Sequence, residues 1–267
     1  MDRYARMFAR LAKAREGAFG AFVMLGDPDL ETSAAILEIL ARSGADMVEV
    51  GIPFSDPVAD GPVIQASAQR ALAAGVRPAN CFRLIAEFRG RHPSIPVGIL
   101  TYANLVVARG STGFYGAAAE AGADSVLVAD VPLIEAPPFV EAARAAGVAP
   151  VLIAAANTPA ARLARIAALG AGYVYCVARA GVTGADERVS LDHASLLAAL
   201  RAHHSPPAIF GFGIARPDHV RAALDAGAAG AISGSAIVDL VARRDLERLA
   251  RFIAAMKAAT RLRAAAA

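Results

Sequence analysis

DMVEVGI, residues 46–52, runs directly into PFSDPVADGP, residues 53–62. The first seven residues form an apolar run, not a strict alternation, so a strand made from them has both faces buried, as strands of a parallel sheet do. Glu49 stands in the middle of that run, and a charge there is expensive unless it is paired or used. Seven more runs of this kind follow the same rhythm: AFVML (21–25), PVGILTY (96–102), SVLVAD (125–130), APVLIA (149–154), YVYCVA (173–178), PAIFGFG (207–213) and AGAISG (229–234). Amphipathic Ala/Leu/Arg segments fill the gaps, for example LETSAAILEILARSGA (30–45) and EAPPFVEAARAAGV (135–148), each with a glycine suited to a helix C-terminus. Eight βα units in this length predict a closed (β/α)8 barrel. An open doubly wound sheet is the alternative, but its GxGxxG fingerprint is not met by LGDPDL (25–30) after the first strand.

No linker or composition break divides the chain, so one domain over residues 1–267 is expected. It is preceded by an extra N-terminal helix, because Tyr4, Met7, Phe8 and Leu11 recur at helical spacing in MDRYARMFARLAKAREG. That start is Arg-rich and acid-poor like a transit peptide, and the apolar stripe favours the helical cap. Of the 267 residues, 56% are hydrophobic, enough for one large core. Net charge is +3 and the pI about 9.1, with Lys and Arg scattered and the sharpest cluster only Arg243-Arg244. Without a basic stripe, no nucleic-acid partner is expected. No apolar stretch is long enough to span a bilayer, so no membrane association is expected either. Cys81 and Cys176 lack any CxxC or Cys/His spacing, which points to a reduced, cytoplasmic protein without structural metal. His92, His193, His203, His204 and His219 show no ligand spacing, and Ser55 and Ser235 have no histidine nearby to activate them.

In a (β/α)8 barrel the chemistry belongs at the C-terminal ends of strands. Glu49 sits near the end of the second strand, and Asp60 closes the loop after it. A carboxyl among Met47, Val48, Val50 and Ile52 resists ionisation and suits acid/base work, whereas Asp60, in a polar loop, is expected to stay ionised. A structural Glu49 paired with an Arg from a neighbouring loop is equally compatible with the residues alone. GFGIARPD (211–218) and GAISGSAIVD (230–239) place Gly211, Gly213, Gly234 and Ser235 after the seventh and eighth strands, where barrels grip phosphate with backbone N–H groups. RAGVTGAD (179–186) is a candidate lid. Phe22, Leu100, Tyr102, Leu127, Ile153, Tyr175 and Phe212 fall at strand ends and suggest a flat apolar ligand portion opposite the phosphate.

VEVGIPFSDPVADGP (48–62) resembles the signature of the tryptophan synthase alpha chain family. So do LTYANLV (100–106), DSVLVADVP (124–132), GYVYCVARAGVTGA (172–185), GFGIARPDHV (211–220) and GAAGAISGSAIV (227–238), in the family's order and over nearly the whole chain. The resemblance implies a TIM barrel that cleaves indole-3-glycerol phosphate to indole and glyceraldehyde 3-phosphate without a cofactor of its own. It also implies a pyridoxal-phosphate beta subunit as partner in an α2β2 heterotetramer. By motif position it assigns Glu49 and Asp60 as catalytic, and Gly184, Gly213, Gly234 and Ser235 as the phosphate grip. Tyr175 falls beside the reacting centre and Thr183 on the lid, while Asp56, Pro57, Asn104 and Leu105 face the partner. Ala155 and Ala156 stand where a proline-containing segment is expected, and Val107 and Ala108 where larger or polar residues are expected. The competing readings are a free-standing lyase that releases indole without a beta chain, a barrel that only binds its ligand, and another phosphate-binding barrel enzyme, which would show other carboxylates or a metal site.

Overall fold

The computed structural model describes residues 2–177 and 194–262. Asp2 caps α1 (Arg3–Ala14) by accepting from the Ala5 N–H at 2.7 Å, and Tyr4, Met7 and Leu11 form the buried stripe of that helix. The predicted N-terminal cap is therefore present, with Phe8 partly buried against the core.

The chain then alternates strands and helices: β1 (Ala18–Met24), α2 (Leu30–Arg42), β2 (Met47–Gly51), α3 (Pro62–Ala73), α4 (Pro78–Arg91) and β3 (Val97–Thr101). It continues with α5 (Ala103–Ala108), α6 (Ser111–Glu120), β4 (Ser125–Val128), α7 (Ala136–Ala145), β5 (Ala149–Pro150), β6 (Leu152–Ala155), α8 (Ala160–Leu169) and β7 (Val174–Val177). The remaining elements are α9 (Ala194–Ala202), β8 (Ala208–Gly211), α10 (Pro217–Asp225), β9 (Gly230–Ser233), α11 (Ser235–Ala242) and α12 (Leu246–Ala258).

Every ladder is parallel, and the strand order is β5-β4-β3-β2-β1-β9-β8-β7-β6. The two ends of that order are pieces of one stave: β5 and β6 are separated only by Val151, whose N–H donates to the Val126 carbonyl at 3.0 Å. The sheet closes on itself as an eight-stave barrel, and the doubly wound alternative is excluded. The first stave begins at Ala18, three residues before the predicted run, because Ala18–Gly20 pair with the eighth stave. β8 stops at Gly211, short of the predicted Gly213, because Phe212 and Gly213 turn to φ of 63° and 77°.

The bottom of the barrel is fastened by buried carboxylates. Asp46, just before β2, accepts from Arg10 of α1 at 2.8 Å, Lys257 of α12 at 2.7 Å and the Phe19 N–H at 3.0 Å. Asp124, just before β4, accepts from Arg3, Arg89 and the Val97 N–H. A buried carboxylate is tolerable when its oxygens are filled this way. No helix among the described residues is long and apolar enough to cross a membrane.

Candidate active site

Cross-strand register brings the site together. Phe22 on β1 stands beside Glu49 on β2, which stands beside Gly98 on β3 and, one stave further, Ser125 on β4. Side chains of one parity share one face of a sheet, so this row points into the barrel. Gly98 leaves the space the row needs, since a Cβ there would come within 2.8 Å of Ser125 Oγ and 3.1 Å of the Tyr4 hydroxyl. Tyr4, rising from α1, hydrogen-bonds Ser125 at 2.8 Å and packs its ring 5.4 Å from that of Tyr173. The N-terminal helix thus packs a buried tyrosine beneath Glu49.

Glu49 is 1% exposed. Its Oε1 accepts from the Tyr173 hydroxyl at 2.6 Å, and its Oε2 has no hydrogen-bond partner among the described residues. Burial raises its pKa to about 7; the Tyr173 bond opposes the rise and the charge of Asp60 adds to it. No arginine pairs with it there, so the described structure does not have the salt bridge left open by the residues alone.

Asp60 differs from its expected setting. The loop is polar in sequence, yet Asp60 is only 7% exposed, and desolvation raises its pKa while donation from Tyr102 holds it down. Tyr102, at the end of the third stave, donates to Asp60 Oδ2 at 2.8 Å, accepts from the Ala59 N–H at 3.2 Å and stacks on Phe54 with ring centroids 5.2 Å apart. The charge of Asp60 adds to the rise at Glu49.

A cavity of about 430 Å³ opens over this pair. Of the expected residues it is lined by Phe22, Glu49, Asp60, Leu100, Tyr175, Phe212, Gly213, Gly234 and Ser235. Tyr102 works from behind, through Asp60. Gly211 also lies behind the wall: a Cβ there would fall on the Tyr175 hydroxyl, so this glycine makes room for the tyrosine. Leu127 is buried and Ile153 is 36% exposed, and neither lines the cavity, to which the fourth and fifth staves contribute no residue. Thr183 and Gly184, with the candidate lid, lie outside the described residues.

The far end of the cavity has anion chemistry. Ser235 and Ala236 open α11, where the first N–H groups of a helix have no intrahelical acceptor and the helix dipole is positive. Gly213 lines the same end. Seven contributors were not foreseen: Val63 and Ile64 at the start of α3, Ile214 and Ala215 after Gly213, Ala236 and Asp239 of α11, and Tyr173, which meets Glu49. Tyr173 and Tyr175 share one parity in YVYCVA, and that parity was the available signal. Among the described residues, no group of three or more His, Cys, Asp or Glu side chains is placed to hold a metal ion.

Asp56 and Asn104 are exposed and Pro57 and Leu105 half-buried, on the segments that follow the second and third staves at the mouth. Val58, Val107 and Ile134 are exposed on the segments after the second, third and fourth staves. In the segment after the fifth stave, Thr158 receives the Ala155 N–H on its hydroxyl at 2.9 Å and returns its own N–H to the Ala155 carbonyl, so a side chain ties this turn without proline.

Residues 8–266 match the family model described as tryptophan synthase alpha chain. A tryptophan synthase alpha chain from Shewanella amazonensis is 52% identical over 97% of this chain and 100% of its own length. A solved structure from Aquifex aeolicus VF5 superposes with a TM-score of 0.91 at 29% identity, covering 98% of this chain and 100% of the other. A structure of the tryptophan synthase α2β2 complex from Pyrococcus furiosus superposes with a TM-score of 0.83 at 36% identity, covering 91% and 98%.

Proposed function

The chain belongs to the tryptophan synthase alpha chain family, and from that premise we propose that Glu49 and Asp60 divide the proton and charge work of its reaction. The alpha subunit cleaves indole-3-glycerol phosphate to indole and glyceraldehyde 3-phosphate, and the indole passes to the beta subunit within an α2β2 assembly. Breaking the bond from indole C3 to the glycerol side chain requires a proton on C3, which puts positive charge on the ring nitrogen. Ionised Asp60, hydrogen-bonded to that N–H, stabilises the charge as it forms. Glu49 delivers a proton to C3 and removes the one from the side-chain hydroxyl, whose oxygen becomes the aldehyde. The proton lost by the hydroxyl balances the proton gained by C3, so the reaction needs no external acid or base.

The observation that carries the assignment is a buried carboxyl on the wall of the cavity, one of its oxygens without a partner among the described residues, its pKa raised by burial to about 7. Such a group is available in both protonation states near neutrality. Phe22, Leu100, Tyr175 and Phe212 form the apolar seat for the indole ring, and Gly213, Gly234 and Ser235 receive the phosphate with Gly184. Anchoring the phosphate lets binding energy at the far end serve orientation at C3. Thr183 completes the substrate contacts on this reading, Asp56, Pro57, Asn104 and Leu105 meet the beta subunit, and residues 1–267 form one barrel domain. The pyridoxal phosphate of the complex then belongs to the beta subunit, and this chain works in the cytoplasm with its own side chains and backbone. The test is indole release from indole-3-glycerol phosphate, with and without a beta subunit, for the wild-type chain and Glu49→Gln. Cleavage by the first and its loss in the second are expected; undiminished release by Glu49→Gln would remove Glu49 from the chemistry.

A further inference from the structure

We propose that His219 is a positioning residue for the phosphate end of the site, an inference that rests on the phosphate reading just given. The turn after β8 places Phe212 and Gly213 consecutively in the left-handed region, at φ of 63° and 77°. A phenylalanine is rarely found there, so the conformation persists only if its surroundings hold it. Two side chains do so. Ser233, at the end of the eighth stave, donates its hydroxyl to the Ile214 carbonyl at 2.6 Å. His219, in the first turn of α10, folds back so that its Nδ1 lies 2.7 Å from the Gly213 carbonyl.

The Ala215 N–H also approaches Nδ1, at 3.2 Å. A ring nitrogen and a carbonyl oxygen at 2.7 Å require a proton between them, because two lone pairs that close repel. The shorter contact therefore places the proton on Nδ1, and His219 donates to Gly213. His219 is not part of the cavity wall, whereas Gly213, Ile214 and Ala215 are. It acts through the backbone, fixing the Gly213 peptide that faces the phosphate and the Phe212 ring that packs edge-on to Tyr175, centroids 5.9 Å apart.

Asparagine at this position puts an amide nitrogen where Nδ1 stands and keeps the donation; leucine keeps the bulk and loses it. His219→Leu is expected to raise both KM for indole-3-glycerol phosphate and the dissociation constant for inorganic phosphate by roughly 5- to 20-fold, with kcat within about twofold, the effect of one lost hydrogen bond on a binding loop. His219→Asn is expected to stay within about threefold of the wild type in both constants. If His219→Leu does not fold, His219→Ala takes its place against His219→Asn. Unchanged phosphate affinity in the leucine or alanine variant, or equal losses in asparagine and leucine, would overturn the assignment. Phosphate affinity is read by calorimetry without turnover, so failure of this inference and failure of the cleavage reading are separate results.

Discussion

A carboxylic acid with a pKa of about 7 is useful and costly for the same reason, and at Glu49 the two effects separate cleanly. Between its ordinary value of 4.5 and about 7 the folded chain holds a proton that the unfolded chain has lost. Stability therefore falls as pH rises through that window, and above it the native state retains a buried charge costing up to about 3 kcal/mol, at about 1.4 kcal/mol per pKa unit. Glu49→Gln removes that charge without changing the shape of the side chain. It should lower indole release by about 10²- to 10⁴-fold. It should also be more stable than the wild type at pH 8, with the difference shrinking toward pH 5, as measured by urea unfolding across pH. A variant that is inactive because it is unfolded, or whose stability difference does not vary with pH, would contradict this account. Tyr173 acts in the opposite direction, since its hydroxyl lowers the Glu49 pKa. Tyr173→Phe should therefore move the limb of the pH–rate profile that reports Glu49 to higher pH while leaving the fold intact, and a limb that stays in place would break the link.

Asp60 depends on an element more than on its own surroundings in sequence. The segment from Phe54 to Asp60 is held because Tyr102, from the next stave, touches it in three ways: a ring stack on Phe54, a bond from the Ala59 N–H and a bond to the carboxylate. Tyr102→Phe keeps the stack and removes both hydrogen bonds. It should raise the Asp60 pKa further and cost about 1–2 kcal/mol in stability. It should also lower kcat, because the carboxylate proposed to steady the indole nitrogen loses its donor. An unchanged kcat with lowered stability would make Tyr102 purely structural. The same loop shows what the sequence could not reveal. Glu49 was legible because an acid in an apolar run is an anomaly, and the eight staves because runs buried on both faces recur at βα intervals. The burial of Asp60 was hidden because SDPVAD is polar by composition, and the group that covers it comes from Tyr102, 42 positions away. Tyr173 was missed because one inward tyrosine in YVYCVA was noticed and its same-parity neighbour was not. The strain at Phe212 left no mark, since nothing in GFGIARPD distinguishes a phenylalanine at positive φ from one in a strand.

Seen whole, the barrel is tied by buried ion pairs at both ends, with Asp27 clamped by Arg70 of α3 just after the first stave. Asp46 and Asp124 tie α1, α4 and α12 to the bottom of the sheet, while the carboxylates with raised pKa values and the cavity lie toward the mouth. Such ties recover elsewhere the stability that the costly groups of the site give up. The mouth also carries the exposed apolar side chains Val58, Val107 and Ile134, on segments that follow three neighbouring staves. Apolar groups gathered at one end, beside the cavity proposed as the site of cleavage, suit the face that meets the beta subunit. Ile134 tests this without disturbing the chemistry, because it is 72% exposed and is not part of the cavity wall. Ile134→Asp should leave the melting temperature and the unaided cleavage rate unchanged, since an exposed substitution shifts stability by no more than about 0.5 kcal/mol. Placing a carboxylate in an apolar contact should weaken the complex by at least about tenfold, or roughly 1.4 kcal/mol. The measurement is a titration of cleavage rate against added beta subunit, which should saturate at the same rate but at a higher concentration. A half-saturation point that does not move would place the docking surface elsewhere on the barrel.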